Sequence, residues 1–490
     1  MRRCLVVVVL AVLPLLTAGS CAGGGGSGDG AGSAGSAGGA GGGSGGSGGC
    51  GGSGPAGGAG DAGGPGGPAT YRSGAKPGNW PMYHHSRDRA GRVAHAPGGP
   101  LRPAWRTALR GGVYGEPLVV DGTLVVATQR DYVYGLDART GARRWRVHLG
   151  NAQPLSALPC GNIDPLGIIS TPVYDRRTGS VFVAAETTGA VHTLWALDPT
   201  TGARRWHRNL DTQPDRDRRA EQQRSALNVI GGRVVTTFGG LAGDCGDYVG
   251  YATSVRTDGS GPVDSYAVPT AREAGMWAPP GAVRGRNGHV YVASGNGAEL
   301  HGSWDRSDSV TELTPSMRRV SVFAPPTWRD DNVHDLDLGS SSPVVVSAVG
   351  RLVIAGKRGV VYLLRPRLGG VDSAVAQLGG CQAFGGAAVS GRTVLMPCAG
   401  QDAVRALRVG RRTLRWSWTR HGVYSSPVVA GGKVYAADAD SGDLVVLALS
   451  DGRVLSRQHA GTMPHFPSEV VSGDWVFVPT LGGVVAFRGR

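Results

Sequence analysis

The stretch Leu136-Asp-Ala-Arg-Thr-Gly-Ala-Arg-Arg-Trp145 returns almost unchanged as Leu197-Asp-Pro-Thr-Thr-Gly-Ala-Arg-Arg-Trp206. Each copy follows a run that opens on small or polar residues and a proline: Gly115-Glu-Pro-Leu-Val-Val before the first, Ser170-Thr-Pro-Val-Tyr before the second. Ser341-Ser-Pro-Val-Val-Val and Ser425-Ser-Pro-Val-Val repeat that opening, and Leu444 to Leu455 repeats the ending. Self-similarity at such a period means one supersecondary unit stacked many times.

The unit reads as four short strands. Alternating Val, Leu and Tyr make half-buried strands, Asp-Gly and Gly-Gly pairs supply the positive φ of tight hairpins, and Thr-Gly turns the third strand into the fourth. The closing tryptophan is placed to pack between neighbouring units. A single four-stranded sheet leaves both faces exposed, so the array has to close into a ring. The sequence therefore predicts an all-β fold, a β-propeller of four-stranded antiparallel blades at roughly 113–150, 168–210, 225–270, 278–325, 341–378, 383–420 and 423–460, with a final run at 465–488. That last run lacks an outer strand, and Leu101 to Leu109, with Trp105, has the form of the missing one. This gives eight blades. Seven is the alternative, because the third and fourth units carry irregular insertions.

Of 490 residues 84 are glycine, and many of these precede Asn79. Residues 22–78 are Gly, Ser, Ala and Pro with few apolar side chains, so ordering them would cost entropy with no burial to offset it. They are expected to form a disordered tether. Ahead of it, Met1-Arg-Arg and the apolar run Leu5 to Leu16 resemble an export signal too short to span a bilayer comfortably. Ala18-Gly-Ser-Cys21 resembles a bacterial lipobox, with alanine in place of the usual leucine. The expected organisation is a signal peptide at 1–20, a lipidated Cys21 with its linker to 78, and a propeller at 79–490, held at the outer face of the cytoplasmic membrane. Simple secretion is the alternative. Cys50 lies alone in the linker.

The net charge is +14, but Lys76, Lys357 and Lys433 are the only lysines, and the arginines are scattered through turns such as Arg143-Arg144 and Arg411-Arg412. That spacing suits solvated blade edges. No basic stripe interleaves with aromatics, so nucleic acid is not an expected partner.

At these residues, and in Asn79-Trp-Pro-Met-Tyr, the chain resembles the pyrroloquinoline quinone (PQQ) repeat family, which includes quinoprotein alcohol dehydrogenases and the non-enzymatic scaffold of the outer-membrane protein assembly machinery. In the dehydrogenases a calcium ion and PQQ sit on the propeller axis. The resemblance implies corresponding residues here. Glu186, before a Trp-Ala-Leu-Asp-x-x-Thr-Gly strand, and Asn296, in Ser-Gly-Asn-Gly, would be calcium ligands; Trp277 would stack under the quinone; Asp335, in His-Asp-Leu-Asp337, would be a further ligand and the catalytic base; and Lys357 would face the quinone oxygens. In that scheme calcium polarises the quinone and Asp335 takes the alcohol proton. A structural reading stands beside it: a turn position for Asn296, an arginine partner for Glu186, backbone caps for Asp335 and Asp337, and a wall position for Trp277.

The chain departs from the enzymes in lacking an adjacent cysteine pair and a Cys-x-x-Cys-His haem site. Two functions follow, with the first favoured: an envelope scaffold or binding propeller for a protein, peptide or glycan, or a PQQ- and calcium-dependent dehydrogenase acting on an alcohol or sugar. Export also predicts disulfides. Cys381 and Cys398 flank an apparent hairpin turning near Ser390-Gly391, which would set them face to face, and Cys160 with Cys245 is the remaining pair.

Overall fold

The computed structural model describes residues 78–490. Cys21, Cys50 and the expected signal peptide lie outside the described residues, as does all of the linker before Gly78. Eight antiparallel sheets form the fold. The first strands of neighbouring blades contact one another around the axis. Inner strands such as Leu118–Val120 and Val428–Ala430 are wholly buried, others such as Ala388–Ser390 nearly so, whereas an outer strand such as Leu414–His421 alternates half-buried and exposed positions. The seven-blade alternative is excluded: the irregular third and fourth units each form a complete sheet, and Arg102–Ala108 pairs antiparallel with Gly483–Arg488 to complete the eighth. The one α-helix among the described residues, Trp328–His334, leads out of blade 4, and no described helix is long and apolar enough to cross a membrane.

The repeated motif works as a joint between blades. Asp137 accepts the backbone N–H groups of Arg139 and Thr140 at 2.9 and 3.0 Å, which sets the turn and places Gly141 at φ +74°. A Cβ at Gly141, Gly202, Gly259 or Gly452 would meet the indole of Trp105, Trp145, Trp206 or Trp418, respectively. In each case the tryptophan belongs to the preceding blade and lies flat on the glycine of the next. Only glycine offers both the positive φ and the room. Trp145 and Trp418 also donate Nε1–H to the carbonyls of Pro199 and Leu449 at 3.0 Å, so each indole packs with its polar group satisfied.

The Ser-x-Pro openings form a second joint at the axis. Thr171 Oγ1 accepts the Glu116 N–H at 2.7 Å, Ser342 Oγ donates to the Gly281 carbonyl at 2.8 Å, and Ser426 Oγ accepts the Gly386 N–H at 2.9 Å. Ser468 of blade 8 donates to Glu116 Oε2 of blade 1 at 2.6 Å and completes the circle.

Residues 79–93 cross the channel at the end where the inner strands finish. Trp80 exchanges two backbone hydrogen bonds with Val119 of blade 1, the Pro81 carbonyl accepts from Tyr174 of blade 2, the Arg87 carbonyl accepts from Arg284 of blade 4, and Arg92–Val93 runs parallel to the inner strand of blade 7. Trp80, Tyr83, His84 and Arg89 are buried. Arg89 carries no carboxylate hydrogen bond and fans its guanidinium onto the carbonyls of Tyr83, Ala226 and Leu227 at 2.9–3.1 Å.

Both expected disulfides form, with Cα separations of 4.8 Å for Cys381–Cys398 and 6.2 Å for Cys160–Cys245. The geometry behind the first differs from the expectation. Ser390 does pair with Thr393 across the turn, but the hairpin register ends at Ala388–Leu395, so Cys381 lies in the connector between blades 5 and 6. It reaches Cys398 at the end of the second strand of blade 6.

Candidate functional site at the axial face

At the other end of the channel, connectors lead from each outer strand to the next inner one. The residue four places before an inner strand falls on the axial rim: Tyr114, Arg224, Phe384, Tyr424 and Phe466 hold that position in blades 1, 3, 6, 7 and 8. Phe384 and Phe466 stack with centroids 6.0 Å apart and planes 3° from parallel. Trp277, from the connector into blade 4, meets them at 6.5 and 6.2 Å with tilts of 43° and 40°. Arg224 donates to the Ile169 carbonyl at 2.9 Å and to the His465 carbonyl at 2.8 Å, tying blades 2 and 8 from blade 3. Burial lowers its pKa to about 10, still charged at neutral pH. The rim thus closes over the axis with three aromatic rings and a guanidinium.

Beside the rings lies a charged network. Lys357, just past the second strand of blade 5, places Nζ 5.9 Å from the Trp277 ring centroid, 2.6 Å from Asp335 Oδ1 and 2.7 Å from Asp337 Oδ2. Burial works against the ammonium, but the carboxylates of Asp337 and Asp335 outweigh it and hold its pKa above the usual lysine value. Asp337 Oδ1 accepts the Asn296 backbone N–H at 2.7 Å. Gly295 leaves the room for that approach, since a Cβ there would overlap the Asp337 carboxylate. The Asn296 amide donates to Glu273 Oε2 at 3.3 Å, and Glu273 also pairs with Arg272. Asp335 caps the C-terminus of the short helix at φ 51°.

Trp277, Asn296, Asp335 and Lys357 are therefore linked, directly or through Asp337. Glu186 is not among them. It is the penultimate residue of the second strand of blade 2, buried, with Oε2 3.3 Å from His192 Nε2. His192 Nδ1 lies 2.8 Å from Asp211, and its ring meets Phe238 edge-on at 5.1 Å. Burial disfavours the imidazolium, yet Glu186 and Asp211 together raise the His192 pKa to about 10. Burial raises that of Glu186, against the attraction of His192. The two shifts compete for one proton. A carboxylate beside each ring nitrogen, Asp211 at Nδ1 and Glu186 at Nε2, favours the cationic form of His192.

Residues 87–243 match a family model described as outer membrane protein assembly factor BamB. The chain resembles the PQQ-repeat propellers. It is 25% identical over 431 residues to a polyvinylalcohol dehydrogenase of a Pseudomonas species, covering 74% of this chain and spanning 64% of that relative's length. Its fold matches the quinohemoprotein alcohol dehydrogenase of Comamonas testosteroni with a TM-score of 0.66 at 17% identity, over 85% of this chain and 81% of that one. It also matches BamB of Moraxella catarrhalis with a TM-score of 0.53 at 15% identity, over 80% of this chain and all of that one. This PQQ-repeat-like propeller is thus related both to quinoprotein dehydrogenases and to an assembly factor.

The residues do not fit the calcium and quinone arrangement that the resemblance implies. Glu186 is held by His192, outside the Asn296 and Asp335 network, and among the described residues no three His, Cys, Asp or Glu side chains are arranged to hold a metal ion. Trp277 is flanked by Phe384, Phe466 and the Lys357 ammonium, itself neutralised by two aspartates. Phe384, Phe466, Arg224 and Glu273 join this face without being among the residues expected from the sequence. For the first three a usable signal existed, their shared place four residues before an inner strand; Glu273 carries none, because its loop lies outside the repeat.

Proposed function

We propose that this chain is an exported, lipid-tethered binding propeller that receives an envelope protein, peptide or glycan on its axial face and runs no redox cycle of its own. The observation that carries this reading is the cluster of Trp277, Phe384 and Phe466, in which two phenylalanines flank the ring on which a quinone would stack. Aromatic rings beside a mixed-charge rim are the usual ingredients of a recognition surface. The tether rests on the n-region, apolar run and Ala18-Gly-Ser-Cys21 of the sequence.

The second reading, a PQQ- and calcium-dependent dehydrogenase of an alcohol or sugar, is favoured by the chain-order set Trp277, Asn296, Asp335 and Lys357 and by the names of the relatives. Calorimetry of the full chain with PQQ and calcium, followed by an artificial-acceptor assay over a panel of alcohols, tests the choice. No heat and no turnover are expected. Saturable PQQ binding with turnover would replace the proposal by the dehydrogenase. Fractionation of cells carrying Cys21→Ser tests the tether, with release from the membrane as the expected result.

A further inference from the structure

The face opposite the aromatic rim carries an open cavity of about 570 Å3, formed where residues 79–88 lie across the ends of the inner strands. Arg87, Arg176, Arg284 and Arg286 line it, all exposed. Arg87 comes from the crossing segment, Arg176 from the turn after the inner strand of blade 2, Arg284 from the end of the inner strand of blade 4 and Arg286 from the turn that follows it. Asp88 is the one carboxylate in the lining, and it is engaged by the Ser86 hydroxyl at 2.6 Å. The nearest acid to Arg87 is Asp175 at 4.0 Å, and Arg286 meets only the Ser347 carbonyl at 3.3 Å. Arg176 and Arg284 are in no ion pair among the described residues. Met82, Tyr174 and Val345 supply an apolar floor.

Like charges converge on one concavity only at a cost in repulsion, which a bound anion removes. Planar guanidiniums with several parallel donors match phosphate oxygens better than a single carboxylate does. We infer that this cavity binds a phosphate-bearing ligand, with the phosphate held by Arg87, Arg176, Arg284 and Arg286 and an apolar portion resting on Met82, Tyr174 and Val345. The site is independent of the axial face and of the function proposed for it. Gly78, held by Ser472, and Asn79, paired with Asp121 at 2.8 and 3.0 Å, set the first described residues on this same face. A phospholipid headgroup and a soluble phosphate ester share the required chemistry.

The test uses the full chain bearing Cys21→Ser, so that no lipid of its own contributes. Binding of inorganic pyrophosphate is read by calorimetry, and binding of vesicles of phosphatidylglycerol, against phosphatidylcholine, by co-sedimentation. Saturable pyrophosphate binding is expected, weakened about tenfold by Arg284→Ala and about a hundredfold by Arg176→Ala with Arg284→Ala. The Arg411→Ala, Arg412→Ala pair, on an exposed turn of blade 6, should leave it unchanged. Vesicle binding that tracks the same substitutions assigns the headgroup, and pyrophosphate binding without it assigns a soluble ester. Absence of both, or binding indifferent to Arg176 and Arg284 while the thermal transition is intact, overturns the site.

Discussion

Lys357 Nζ lies 2.7 Å from Asp337 Oδ2, and the other oxygen of that buried carboxylate holds the backbone of Asn296. The pair therefore stands between blade 5 and the turn of blade 4. Removing one partner of a buried pair leaves an uncompensated charge. Lys357→Ala is expected to cost about 3–5 kcal/mol in urea unfolding. Asp337→Asn should cost less, about 1–2 kcal/mol, because Lys357 keeps Asp335 and the amide oxygen can still accept from Asn296.

The contact between Trp145 and Gly202 can be isolated by a matched substitution. Gly202→Ala introduces both a positive-φ alanine, at φ +73°, and a methyl that meets the indole. Gly391→Ala, at φ +62° with nothing within 4 Å of the added Cβ, introduces the backbone strain alone. Losses of about 2–4 kcal/mol and about 1 kcal/mol are expected by chemical denaturation. Equal losses would show that the indole yields without cost.

Stability should fall as the pH rises from 7 to 10. His192 is raised from 6.5 to about 10 by Glu186 and Asp211 against burial, while burial raises Glu116 from 4.5 to about 8 and Asp131 from 3.8 to about 9. A folded state that binds protons more tightly than the unfolded one is favoured below the unfolded pKa and loses that advantage as pH climbs through the folded value. Below 6.5 His84 opposes this trend, because burial and then Arg89 hold it down at about 3 and the unfolded chain takes up that proton first, but Glu116 and Asp131 outweigh it and the slope keeps its sign down to about pH 4.5. Urea midpoints should therefore decline from about pH 5 to 10, most steeply above 6.5, where His192 adds its share and His84 no longer opposes. His192→Gln should flatten the limb between pH 8 and 10.

Arg89 reaches three carbonyls from one buried guanidinium. Burial lowers its pKa to about 10, so it remains charged at neutral pH. Arg89→Ala leaves all three acceptors unpaired and should cost about 3 kcal/mol or more. Arg89→Lys should not restore the loss, since one ammonium cannot span the same fork. The check is the thermal transition together with protease cleavage of the segment 79–93, which should accelerate in both variants.

Much of the fold was legible in the chain, because its determinants are local. Period-two alternation, Asp-Gly turns and the Thr-Gly-x-x-x-Trp motif are set within a few residues of one another, and each turn needs its own Asx hydrogen bonds and positive φ. The closing strand with Trp105 could be anticipated because a ring must end somewhere and the eighth unit was one strand short. The Cys381–Cys398 bond was also legible, though the chain showed proximity and not that Cys381 sits in a connector.

The axial face was less legible. Trp277, Asn296, Asp335 and Lys357 follow one another along the chain at spacings like those of the dehydrogenases, and they do come together. Spacing along the chain could not reveal that Glu186 turns to His192 on the neighbouring strand, that Phe384 and Phe466 reach Trp277 from blades 6 and 8, or that residues 79–93 cross the channel. Nor could it bring Arg87, Arg176, Arg284 and Arg286 to one cavity. Those contacts join residues tens to hundreds of positions apart, and they exist only once closure of the ring sets every connector on one face and every inner turn on the other.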